Sequence, residues 1–128
     1  MLFSINIKAY LLKLLTNKQS VEFALEDVKS VLFLRYDRIG DMIITTPVFR
    51  EFKRSFPDVK IMVLASKINK DVLQNNPYLD EIIVNNKNNF FSDCISLFKL
   101  RRRKVDVCIE LDHSVVPHAI IRLRIISP

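Results

Sequence analysis

Asp37 and Asp41 flank Gly40, the single glycine of the 128-residue chain, in the stretch RYDRIGDMIITTP that runs from Arg35 to Pro47. These residue types at this spacing could do three kinds of chemistry. A carboxylate at Asp41 can take a proton from an attacking hydroxyl if it lies within hydrogen-bond reach of it. Arg35 and Arg38 can grip phosphate or another anion, because a guanidinium offers several donors in one plane. If a helix begins here, its unpaired N–H groups and partial positive charge also suit an anion. Thr45 and Thr46 add two hydroxyls close by. Each residue also has a purely structural reading. Asp41 would cap the helix, Gly40 would make the turn into it, Asp37 and Arg38 would form an ion pair in solvent, and the threonines would fill the first helical turn. Two nucleotide-binding loops are excluded, since neither GxGxxG nor GxxxxGK[ST] is present.

The elements that must position these residues can be read from the apolar pattern. Val31 to Leu34 is a short apolar run without helical period, which predicts a buried strand. A helix is expected from Met42 to Phe56, with Ile44, Val48 and Phe52 on its apolar face and Pro47 moving its regular part towards Thr46. Ile61 to Ala65 predicts a second strand, and Ile68 to Asn75 a shorter helix closed by Asn75-Asn76-Pro77. Glu81 to Val84 predicts a third strand. Phe90 to Arg103 predicts a helix that turns Phe91, Ile95, Phe98, and with them Phe90 and Leu97, to the core. Val105 to Leu111 predicts a fourth strand and His113 to Ile125 a last helix. Strand and helix alternate throughout, so the expected fold is α/β, a doubly wound and mostly parallel Rossmann-like sheet. Ligands bind such sheets beyond the carboxyl ends of the strands, at the loops that begin at Arg35, Ser66, Asn85 and Asp112.

Composition narrows the class without choosing a function. Hydrophobic residues make up 49% of the chain, too many for disorder, and the net charge of +6 favours an anionic partner. Cys94 and Cys108 lack a CxxC spacing, and a reducing compartment is expected, with Cys108 buried in its apolar run. Asp112, His113 and His118 do not make a convincing metal site, so no metal is expected. Residues 1–28 form an amphipathic segment, with Ile7, Tyr10, Leu11, Leu14 and Leu15 at helical spacing and Lys8, Lys13 and Lys18 among them. It is either a helix packed on the domain or a basic helix resting on an anionic membrane surface. Its apolar run, Leu2 to Leu15, is interrupted by Lys8 and Lys13 and is shorter than the run of about 20 apolar residues that spans a bilayer. Residues 29–128 form the domain. The basic run Arg101 to Lys104 closes a helix, where it suits the helix dipole, or else it meets phosphorylated lipid.

The run LFLRYDRIGDMIITTPVFREFKRSFPDVKIMVLAS resembles the amino-terminal motif of glycosyltransferase family 9, the heptosyltransferases of lipopolysaccharide synthesis and their relatives. That motif is a strand, then R-x-D-x-x-G-D, then a helix with T-T-P, then a segment like F-P-x-A-x-I. The later NPYLDEIIV and VDVCIELDHS segments are similar as well, so the resemblance covers residues 30 to about 115. It implies the GT-B architecture of two Rossmann-like halves, of which this chain matches the first part of the acceptor-side half. The sheet is therefore expected to be incomplete, and the donor-binding half has no counterpart in the 128 residues.

By the same resemblance Asp41 is the general base of an inverting, metal-independent transfer. Arg35, Asp37, Arg38, Gly40, Thr45 and Thr46 would contact substrate, with Asp112 and His113 as weaker acceptor contacts. No cofactor is implied. The donor would be a nucleotide sugar, most simply an ADP-sugar, and the acceptor a lipid-linked or polysaccharide lipopolysaccharide precursor. The protein would work in the cytoplasm, at or near the inner face of the cytoplasmic membrane. Two other readings stay open: a non-catalytic, truncated remnant, or a module that binds anions or a membrane surface. Nucleic-acid binding rests on charge alone and ranks last, because the basic residues are not interleaved with aromatics.

Overall fold

The computed structural model describes residues 24–35, 38–85, 90–111 and 126. Val31, Leu32, Phe33 and Leu34 are each no more than 1% exposed. Their side chains alternate between two apolar clusters, with Val31 and Phe33 in one and Leu32 and Leu34 in the other. A strand that is apolar on both sides must be covered on both faces, and this is how β1 (Ser30–Leu34) sits in the fold. It lies between β2 (Lys60–Ser66) and β4 (Val107–Glu110), and β3 (Glu81–Asn85) completes the sheet in the order β3-β2-β1-β4. All the pairings among the described strands are parallel. The expected α/β fold with a parallel sheet is the one observed.

Helix α1 (Ile39–Ser55) covers one face of the sheet and α2 (Phe90–Arg102) the other. Helix α1 begins earlier than its sequence suggests, and its core face is turned. Met42, Thr45 and Phe49 are buried and Phe52 is half-buried, whereas Ile44 and Val48 are exposed. Both stripes have helical spacing. Aromatic payload decides between them: Phe33 packs edge-on against Phe49 at 5.2 Å and against Phe52 at 5.5 Å. Rings of this size contribute the larger apolar area. Among the described residues of α2, Leu97 and Leu100 are buried, while Ile95 and Phe98, expected in the core, are exposed. The side chains of Phe90 and Phe91 and the helix expected over 113–125 lie outside the described residues. Ile126 is buried beside Leu97 and Leu100.

The expected helix over Ile68 to Asn75 is only a 3-10 turn, Lys70–Leu73. The Asn69 side chain accepts from the N–H of Ser66, the last residue of β2, and so closes the link between strand and turn. Asn75 then leaves the right-handed region, with φ of 61°.

Acidic side chains brace the amino-terminal ends of the strands. One Asp106 oxygen accepts from the Lys29 N–H, the Ser30 N–H and the Ser30 hydroxyl at 3.0, 2.8 and 2.8 Å, which ties β4 to β1. Asp80 accepts from the Ile61 N–H at 2.7 Å and from Lys53 at 3.0 Å. Asp106, a charge that blurs the period of the fourth strand in the sequence, thus has a structural duty at the strand's start.

Candidate functional site

The strand order reverses between β1 and β4. In open parallel sheets such a switch point, outside the carboxyl ends of the two strands, is where a ligand crevice is expected. Arg35 and Leu111 are the residues that follow them. Their backbones are held in the sheet, the Arg35 N–H donating to the Leu64 carbonyl at 3.1 Å and the Leu111 N–H to the Leu34 carbonyl at 3.2 Å.

The Arg35 side chain spans this switch point. One guanidinium nitrogen, Nη1, donates to the Leu111 carbonyl. The other, Nη2, lies 3.5 Å from Oδ1 of Asp41, and the two side chains are 5% and 28% exposed. Arg35, expected to face a phosphate, is therefore largely enclosed and turned towards the protein's own groups. Asp41 is the more open partner, beside the switch point.

Asp41 is not the helix cap that its position after a glycine suggests. The cap is Arg38, in extended conformation and without a side-chain cap bond, and Asp41 lies in the first turn. A carboxylate there still complements the positive end of the helix. Gly40 likewise does not make the turn. It lies inside α1, its φ is not positive, and a Cβ placed on it would meet nothing within 4 Å. Arg38 is already the cap, so neither backbone strain nor a described neighbour requires glycine at position 40. What glycine does here is leave the first turn bare, beside the early N–H groups that a helix does not pair.

The two threonines spend their hydroxyls on the helix. Thr45, buried, donates to the Asp41 carbonyl at 2.6 Å, and Thr46 donates to the Ile43 carbonyl at 2.8 Å. The second bond answers Pro47, which stands inside the helix and has no N–H to give to the carbonyl four residues back. The T-T-P sequence thus holds the first two turns in shape around Asp41.

The sequence pattern did not single out Asn69, which is fully buried. Its side-chain N–H donates to the Arg35 carbonyl at 3.1 Å, and its backbone N–H donates to the Ser66 hydroxyl at 3.2 Å. A serine and an asparagine three apart after a strand are a recognisable loop-bracing pair. The link to Arg35, 34 positions away, leaves no local trace. Asp37, Asp112 and His113 lie outside the described residues, so their places relative to Asp41 are not part of this geometry.

Two features stand apart from the crevice. A cavity of about 590 Å³ is lined by Asp27, Val28, Arg101, Lys104 and Asp106 among others, at the amino-terminal ends of the strands. The basic run is at that end too, exposed, with Arg103 paired to Glu81. A strand of five residues separates it from Asp41 by roughly 16 Å, so the two do not share a ligand group. Among the described residues, no helix is long and apolar enough to cross a membrane.

No protein-family model matches the chain. Over 90 residues it is 32% identical to lipopolysaccharide heptosyltransferase 3 of Escherichia coli, a match that covers 66% of this chain and 26% of that protein. Its fold matches the crystal structure of a glycosyl transferase family 9 protein from Veillonella parvula with a TM-score of 0.64 at 23% identity, over 86% of this chain and 32% of that one. The chain thus spans between a quarter and a third of the length of these proteins.

Proposed function

We propose, for a chain that is related to glycosyltransferase family 9, that it forms the acceptor-side part of an inverting glycosyltransferase in which Asp41 is the general base. One observation carries this reading. The Asp41 carboxylate is part-exposed at the switch point of a parallel sheet, and a buried arginine anchored on the neighbouring strand holds it there.

In the proposed reaction an acceptor hydroxyl approaches the bare first turn of α1. The Asp41 carboxylate takes its proton as the oxygen forms a bond to the anomeric carbon of the donor. The bond from that carbon to the nucleoside diphosphate breaks, and its electron pair leaves with the phosphate oxygen. The carbon passes through an oxocarbenium-like state and emerges inverted. Gly40 lets the sugar come close to the helix backbone, since no side chain stands in the way. Arg35 orients the base instead of binding substrate. Of the two arginines in the motif, Arg38, exposed at the cap, is the one left to meet an anionic group.

The donor in this reading is a nucleotide sugar, with an ADP-linked heptose as the first to try, and the acceptor is a lipopolysaccharide precursor. The donor-binding half is supplied outside the matched stretch. We place the reaction at the cytoplasmic side of the inner membrane, where such an acceptor is anchored. The test is transfer of heptose from an ADP-linked donor to a lipopolysaccharide-core acceptor by the full-length protein and by its Asp41→Asn variant. Transfer by the wild type and not by the variant supports the reading; equal transfer by both removes Asp41 from the chemistry.

A further inference from the structure

We infer that Asn69 is a positioning residue for the base, acting through the backbone of Arg35. Asn69 lies three residues past β2 and has no exposed surface. A buried amide is costly unless its polar atoms are paired. Here its Nδ2 donates to the Arg35 carbonyl at 3.1 Å, and its Oδ1 accepts from the Ser66 N–H at 2.8 Å. These bonds bridge the carboxyl ends of β2 and β1 at the residue where β1 gives way to the loop. Arg35 is the last described residue before that loop, and its guanidinium is the group that reaches both Leu111 and Asp41.

The chain of contacts is continuous: Ser66 to Asn69, Asn69 to the Arg35 backbone, the Arg35 side chain to Leu111 and to the Asp41 carboxylate. A long side chain that must satisfy two partners in different directions depends on where its Cα sits. A shift of about one ångström at Arg35 strains one of its two contacts, and misplacement of this order is enough to slow a reaction substantially. The Leu64 carbonyl holds the Arg35 N–H and Asn69 holds the Arg35 carbonyl, so Asn69 completes the anchorage from which Arg35 reaches. The consequence for turnover rests on the reading of Asp41 as the base, whereas the link from Asn69 to Arg35 does not.

The test uses hydrogen exchange followed by NMR in the full-length protein. In Asn69→Ala, the guanidinium protons of Arg35 should exchange about tenfold faster relative to the Phe33 amide, which reports unfolding of the core. Ser66→Ala loses a hydroxyl bond to Asn69 but keeps the amide link to Arg35, and should leave that ratio within about twofold. A parallel rise at Arg35 and Phe33 in Asn69→Ala would mean a merely structural role and would overturn the inference. If Asn69→Ala does not fold, the wild type decides. There the Asn69 side-chain amide protons should exchange at least about tenfold more slowly than those of the exposed Asn75, and equal rates would contradict the inference. In the transfer assay, Asn69→Ala should lower kcat by about tenfold with KM nearly unchanged. Should the wild type transfer no sugar, the transferase reading falls, and the exchange ratios still decide the role of Asn69.

Discussion

The Nη2 atom of Arg35 lies 3.5 Å from Oδ1 of Asp41, while its Nη1 donates to the carbonyl of Leu111 on the neighbouring strand's end. One side chain therefore couples the sheet to the Asp41 carboxylate. Arg35→Met should lower stability to urea by about 1–3 kcal/mol, because the Leu111 carbonyl loses a charge-assisted donor in a part-buried place. Arg35→Lys should recover less than half of this, since an ammonium has no second donor group to reach Asp41 at the same time. Full recovery by lysine would show that charge alone matters and that the two-way reach does not.

Thr46 and Pro47 should be coupled. A proline inside a helix costs up to about 3 kcal/mol relative to alanine, and the Thr46 hydroxyl offsets part of this by serving the Ile43 carbonyl. Thr46→Val should therefore cost about 1 kcal/mol in the wild type and clearly less in the Pro47→Ala background, where the Ile43 carbonyl regains a backbone donor. Urea unfolding of the four proteins measures the difference. Equal costs in both backgrounds would contradict the explanation given for T-T-P.

Acid should loosen the amino-terminal end of the sheet. The Ser30 hydroxyl, followed by the Lys29 and Ser30 N–H groups, holds Asp106 below its ordinary pKa of 3.8 despite some burial. Arg103 and then Lys60 hold Glu81 below 4.5. At Asp80, burial works to raise the pKa, and the Ile61 N–H and Lys53 outweigh it to leave it below 3.8. All three folded-state values are depressed, so their stabilisation is present above the ordinary values and is lost as pH falls from those values through the folded ones. Urea midpoints should be flat near neutrality and fall below roughly pH 4.5, and Asp106→Asn should make that fall shallower. An unchanged slope in the variant would remove Asp106 from the brace.

Cys108 should be inert in the folded protein. Burial first, and Glu110 second, push its thiol up to about 12. Since the thiolate is the nucleophile, alkylation near pH 8 should be at least about a hundredfold slower in the native protein than in urea, followed at the Cys108 peptide by mass spectrometry. Comparable rates would mean that the β4 edge opens freely.

How far the sequence discloses this fold depends on how locally each feature is written. The strands are legible because residues such as Val31 to Leu34 are a short run apolar on both sides, a pattern and a length that suit a doubly covered strand. The phase of α1 is not, because Ile44 and Val48 keep helical spacing as well as Met42 and Phe49 do. Only the ring contacts with Phe33, from another element, select the second set. Gly40 and Pro47 mislead about the helix start, since both residues usually mark boundaries and here stand inside it. Of the site, the R-x-D-x-x-G-D motif locates Asp41 and Arg35, but not that the arginine turns inward to the aspartate. Asn69 is missed for the same reason as the phase of α1: its partner is distant in sequence.

In the proposed reaction Asp41 takes the proton of the acceptor hydroxyl, and single-turnover transfer by the Asp41→Asn full-length protein decides whether it does. The asparagine keeps the volume and removes the carboxylate, so the rate of the chemical step should fall by at least about a hundredfold while donor binding and the unfolding midpoint stay near wild type. A wild-type rate in that variant would rule Asp41 out as the base.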